Sequence, residues 1–154
     1  MSIEGAPQFF ERLIADGPEA VIYADAAGVI RYWNAAATRI FGFVEGEAIG
    51  ASLDLIIPER LRSRHWEGYD KVMGGAQSRY GGGALLAVPA LHKDGRQISI
   101  EFTILPLHGD AGTLLGIAAF LRDATARFEE LRALRRELAA LKRAADPAVS
   151  ATPS

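Results

Sequence analysis

The chain has 154 residues, 17 basic and 19 acidic side chains, a formal charge of −2 and 49% hydrophobic residues. That length supports one domain with a real core and leaves no room for a large output enzyme beside it, while the balanced charge gives no strong field for recruiting nucleic acid or an anionic membrane. Cysteine is absent, which excludes disulfides, thiolate metal sites, iron–sulfur clusters and thiol nucleophiles together and leaves metal chemistry to carboxylates and to His65, His92 and His108.

Phe9, Phe10, Leu13 and Ile14 recur at helical spacing and stop before Asp16-Gly17-Pro18, which predicts an N-terminal flanking helix within 1–17. VIYAD at 21–25 and GVIRYWN at 28–34 are β-branched and aromatic runs joined by Asp25-Ala-Ala-Gly28, the composition of a hairpin turn. Asn34 suits a helix N-cap, and short helices follow that end near Gly42 and Gly50. Pro58 and Glu59 announce a further helix that runs to Gly74-Gly75. On it Leu61, His65, Tyr69 and Val72 step by four, four and three and share one apolar face, so His65 points with that stripe.

Three strand-like segments come next, at 84–92, 97–107 and 113–123, separated by turns around Asp94-Gly95 and at 108–112. In the middle one Ile98, Ile100, Phe102 and Ile104 alternate with Gln97, Ser99, Glu101 and Thr103, which buries one face only. The order predicts an α+β fold: a five-stranded antiparallel sheet with short helices on one face, spanning 18–123. An amphipathic helix is expected over 124–145, with Leu131, Leu134, Leu138 and Leu141 forming a coiled-coil-like seam, and a disordered tail over 146–154. That seam suits pairing with a second copy, giving a homodimer, or docking on the chain's own sheet.

No apolar run approaches the roughly 18 residues of a membrane span, and the N-terminus MSIEGAPQFFERL lacks a basic segment followed by an apolar one, so a cytoplasmic protein is expected. An enzyme is not expected. Glycines 81–83 open a predicted strand, whereas a phosphate loop follows a strand and feeds a helix, and no serine sits in a nucleophile elbow.

The strand pair around D-x-x-G, Asn34-Ala-Ala after Trp33, Phe41-Gly42, Ile49-Gly50, IIPE, Lys93-Asp94-Gly95 and Arg122-Asp-Ala-Thr125 together resemble the PAS domains, sensory modules with this strand and helix order, over about positions 7–126. Within that family PERLRSRHWEGY is similar to the heme-binding FixL-type gas sensors, whose P-x-x-x-R-x-x-H-x-x-Y-like helix carries the iron ligand. Pro58, Arg62, His65 and Tyr69 stand for that helix here, followed by Gly81 and Gly83 and by the Lys93-Asp94-Gly95 hairpin. The resemblance implies heme b, with His65 as the metal ligand.

The pocket implied by it takes in His65, Tyr69, Val72, Arg79, Tyr80, Leu85, Leu86, Phe102, Ile104 and Ile117, with Arg64, Lys71, Arg79 or His92 near enough in sequence to meet a propionate. The arginine or methionine that such sensors place on the distal side is missing; Gly83, Leu85 and Leu86 occupy those places, and Tyr80 is the nearest polar candidate. An apolar distal wall favours carbon monoxide and nitric oxide over oxygen, which gains most from a hydrogen bond. The implied activity is sensing of a diatomic gas or of redox state, passed to a separate signalling partner protein, with no nucleic acid or membrane involved. The absent thiol excludes the photoreceptors that depend on a cysteine. Noncovalent flavin and a small carboxylate or fatty acid rank behind heme, and the alternative function is a non-heme dimerisation and interaction module with an empty or small-ligand pocket.

Overall fold

The computed structural model describes residues 5–75 and 83–146. The chain falls into two compact units, 1–123 and 124–154. In the first, α1 (Ala6–Ala15) precedes the hairpin β1 (Ala20–Asp25) and β2 (Ile30–Trp33), then α2 (Ala35–Phe41), α3 (Glu45–Ala48), two 3₁₀ turns (Leu53–Ile56 and Glu59–Leu61) and α4 (Arg62–Met73). The strands β3 (Leu86–Leu91), β4 (Gln97–His108) and β5 (Leu114–Asp123) complete one antiparallel sheet in the order β2-β1-β5-β4-β3. The second unit holds α5 (Thr125–Ala145), along which Leu131, Leu134, Leu138 and Leu141 are exposed. The expected tail at 147–154 lies outside the described residues.

The alternation in β4 does what its pattern requires. Ile98 and Ile100 are buried on the face that meets the helices, and Phe102 and Ile104 continue the same side. The interior on that face has two centres. One gathers Ile22, Ile30, Trp33, Phe41 and Ile100 around α2; the other gathers Ala24, Tyr69, Val72 and Ile117 under α4. Ile22 and Ala24 sit two apart on β1, so one strand face serves both centres.

Asn34 ties the first of these together. Its side-chain oxygen accepts from the Ala37 amide at 3.1 Å, capping α2, and from the Val21 amide at 2.9 Å. Its side-chain nitrogen donates to the carbonyls of Ile14 at 2.8 Å and Glu19 at 2.9 Å. Four bonds thus join the end of α1, the start of β1 and the N-terminus of α2 through one amide that is 4% exposed.

The β1–β2 turn is held by Asp25. One carboxylate oxygen accepts from the amides of Ala27 and Val29, the other from Arg31 Nε at 2.7 Å. The Arg31 bond is the main reason the Asp25 carboxyl lies below its ordinary value. Gly28 closes the turn at φ 77°, and a Cβ there would collide with the indole of Trp66. The glycine therefore serves both backbone conformation and the close approach of α4.

Two expectations follow for stability. Asn34→Ala takes the side-chain partner from the Val21 amide and from the Ile14 and Glu19 carbonyls besides opening the α2 cap, and urea unfolding should show a loss of about 3 kcal/mol; a loss below about 1 kcal/mol would contradict the role given to this amide. Gly28→Ala should cost about 2 kcal/mol, because positive φ and the collision with Trp66 add, and should alter tryptophan emission.

Candidate functional site

Helix α4 begins at Arg62, four residues later than Pro58 suggested. Pro58 instead opens the 3₁₀ turn, with the Leu61 amide bonded to the Pro58 carbonyl at 2.8 Å. Arg62 folds back over that turn, donating from Nε to the Ile57 carbonyl at 3.1 Å and from Nη2 to the Asp54 carbonyl at 3.2 Å. These bonds fix the start of the helix, and Gly74 and Gly75 end it as expected.

Two aromatic residues orient α4. Trp66 donates from Nε1 to Asp54 Oδ1 at 2.9 Å. Tyr69 places its hydroxyl 2.5 Å from the Asp25 carbonyl and 3.2 Å from that of Ala24, so the helix is anchored to the hairpin turn. Burial, with the nearby Asp25 charge, pushes the Tyr69 phenol far above its ordinary value, so it stays a neutral donor.

His65 lies between these anchors. Its ring centroid is 4.8 Å from that of Trp66, edge to face, and 5.8 Å from that of Tyr69. Its Nδ1 is buried and has no hydrogen-bond partner among the described residues. Burial lowers the imidazole below the ordinary histidine value and the Asp54 charge opposes this only in part, so the ring is neutral at neutral pH and carries a free lone pair.

The apolar face of α4 looks onto a cavity of about 560 Å³, a size that suits a small-molecule or cofactor site. Leu61, Arg64, His65, Gly68, Tyr69 and Val72 form the helix wall. Every side chain that the sheet contributes is hydrocarbon, including Ile22, Leu86, Ile100, Phe102, Ile104, Ile117 and Leu121.

Of the residues expected from sequence, His65, Tyr69, Val72, Leu86, Phe102, Ile104 and Ile117 meet at this cavity. Leu85 does not. It precedes the first residue of β3, and while Leu86 turns inward Leu85 is 63% exposed. Arg79, Tyr80 and Gly81 lie outside the described residues. Among the basic groups near in sequence, Arg64 is on the wall, whereas Lys71 and His92 are not. His92 is used elsewhere, its Nδ1 accepting from the Asp94 amide at 3.1 Å and its ring lying against Gly42.

Sequence reasoning passed over Ile22, Ala24 and Gly68. The first two were legible as alternate positions of β1, but nothing in the sequence said which β1 face met α4. Tyr69 also stands four residues after His65; the third place, where the family pattern has its aromatic, is Gly68. Among the described residues no three histidine, aspartate or glutamate side chains cluster to hold a metal, so His65 is a single candidate ligand in an apolar slot.

This arrangement has counterparts. Sensor protein FixL of Bradyrhizobium diazoefficiens is 46% identical over 48 residues, 31% of this chain and 10% of that protein. An uncharacterized protein of Azorhizobium caulinodans is 35% identical over 119 residues, 77% of this chain and 16% of that one. The chain thus spans a small fraction of these two curated relatives. The crystal structure of a PAS domain from Colwellia psychrerythraea superposes with a TM-score of 0.66 at 20% identity, covering 79% of this chain and 98% of that one. A family model described as PAS fold matches residues 15–129, and with the sheet order and helices described above the chain belongs to the PAS family.

Proposed function

We propose that this PAS sensory domain binds heme b in the α4 cavity through His65 and responds to a diatomic gas or to redox state. The observation that carries the reading is the buried Nδ1 of a neutral imidazole, without a partner among the described residues, on the wall of a cavity whose sheet side is wholly hydrocarbon. A buried polar atom left without a partner costs about 1–3 kcal/mol, and a group that uses the imidazole as a ligand gives this residue a purpose. The FixL relative supports the same reading.

The residues present fit the group. His65 would hold the iron, Arg64 on the cavity wall would pair with a propionate, and the sheet side chains would exclude water. When bound, heme supplies an iron centre that changes charge on oxidation and, when reduced, takes gases. The chain's own contribution is to keep the imidazole neutral and fixed: Trp66 and Tyr69 are both committed to hydrogen bonds and hold the helix on either side of it. Because the sheet wall offers no side-chain donor, carbon monoxide and nitric oxide should be held more firmly than oxygen. The same proposal includes a homodimer formed through α5, supported by its exposed leucine row, and a separate partner protein that reads it.

Protein produced with ample heme should show a Soret band that is lost in His65→Ala while circular dichroism stays that of a folded chain. A colourless, folded wild type after hemin titration would overturn the reading in favour of a non-heme interaction module. Tyr69→Phe should keep the band but lower stability by about 1–2 kcal/mol, since the hydroxyl that ties α4 to the Ala24 and Asp25 carbonyls is lost. For the reduced, loaded protein, a carbon monoxide complex that outlasts the oxygen complex is expected; an oxygen complex stable for hours would contradict the account of the hydrocarbon wall.

A further inference from the structure

We infer that Gly68 is a specificity-determining residue: a notch in the cavity face of α4 that seats the body of a bulky ligand beside His65. The inference rests on the proposed ligand-binding role of this cavity. Glycine is the poorest residue after proline for a helix interior, because it has the most backbone freedom to lose. Gly68 nevertheless stands in the middle of α4, six places from its first residue and well short of Gly74 at its end. Its backbone does not need glycine either, since it is not among the residues with positive φ.

Protein packing does not explain it. A Cβ built at Gly68 meets nothing within 4 Å among the described residues, in contrast to Gly28, where the Trp66 ring fills the space. The open space lies on the working side of the helix. Gly68 lines the cavity with Arg64 and Val72, which precede and follow it by four residues and so form one row along the helix surface. It also stands three residues after His65, on the adjoining row. The row thus runs from a guanidinium, across a bare backbone, to a buried valine. A residue that weakens its own helix, spares no neighbouring side chain and faces a cavity is explained by what the cavity must admit. The shape left beside the imidazole suits a broad apolar body lying against the helix backbone, with an acidic group toward Arg64.

The notch separates two quantities that a purely structural glycine would move together. Gly68→Ala should raise the thermal midpoint of the ligand-free protein by about 2–4 °C through helix propensity, while weakening hemin binding by about tenfold, the scale of one added methyl in a tight apolar site. Gly68→Leu should weaken it further. Gly46→Ala, in α3 and away from the cavity with its Cβ site equally open, should leave hemin affinity unchanged. Hemin affinities of Gly68→Ala and Gly68→Leu equal to wild type would overturn the inference. Should wild type fail to bind hemin, the heme reading falls by itself, and the same series is measured with the fluorescent apolar anion 8-anilinonaphthalene-1-sulfonate. Probe binding that declines from Gly68 to Ala to Leu sustains the notch; equal binding, or no binding by wild type, overturns it.

Discussion

The contact between Tyr69 and the backbone carbonyls at Asp25 is the point on which the site depends. The β1–β2 turn is held by the Asp25 carboxylate, which accepts from two amides and from Arg31, while the Asp25 carbonyl accepts from the Gly28 amide at 2.9 Å and also receives the tyrosine hydroxyl. Three residues earlier on α4, Trp66 reaches the same turn from the other side, its ring over Gly28 and its nitrogen on Asp54. A helix with a largely charged outer surface is thereby pinned over a hydrocarbon sheet. These two polar fixings act together with the burial of Tyr69 and Val72, the two buried residues of the helix.

Against that background His65 is the exception that defines the site. Several large polar groups near it are satisfied: Trp66 by Asp54, Tyr69 by the hairpin, and Arg62 by two carbonyls. Among the described residues only the imidazole keeps a buried side-chain nitrogen without a partner. Burial also keeps it neutral, so the lone pair is available over the pH range in which a surface histidine would be partly protonated. The fold holds one unused donor atom on the wall of a largely apolar cavity, between two aromatic side chains that are already committed to hydrogen bonds.

Much of this was legible in the sequence, for identifiable reasons. The β4 alternation, the four-four-three steps of Leu61, His65, Tyr69 and Val72, and the Asp25–Gly28 turn each encode one face or one bend locally, and the sheet and cavity wall follow from them. Less legible were features set by distant partners. Asn34 reads as a helix cap, yet three of its four bonds run to residues 13 to 20 positions away. Pro58 reads as the first helical residue, but Arg62 has carbonyls of the preceding turns to hold, and the helix waits for it. Leu85 and Leu86 are the same residue type side by side, and only the start of β3 decides which one turns inward.

The cavity and the sheet are also not separable. Its walls draw on β1, β3, β4 and β5, and Ile104, Ala119 and Ile22 lie in register across three adjacent strands. A ligand that presses on one of them presses on a ladder, because neighbouring strands share backbone hydrogen bonds that resist independent movement. Leu121 is the cavity residue nearest the end of β5, and its neighbour Arg122 turns to the opposite face to pair with Glu19, at the residue before β1. The wall and this ion pair are therefore adjacent on one strand, with Arg122 three residues before the chain becomes helical at Thr125. Only Ala124 separates the end of β5 from the start of α5, so the strand that carries Ile117, Ala119 and Leu121 into the cavity wall is the one that leads into that helix.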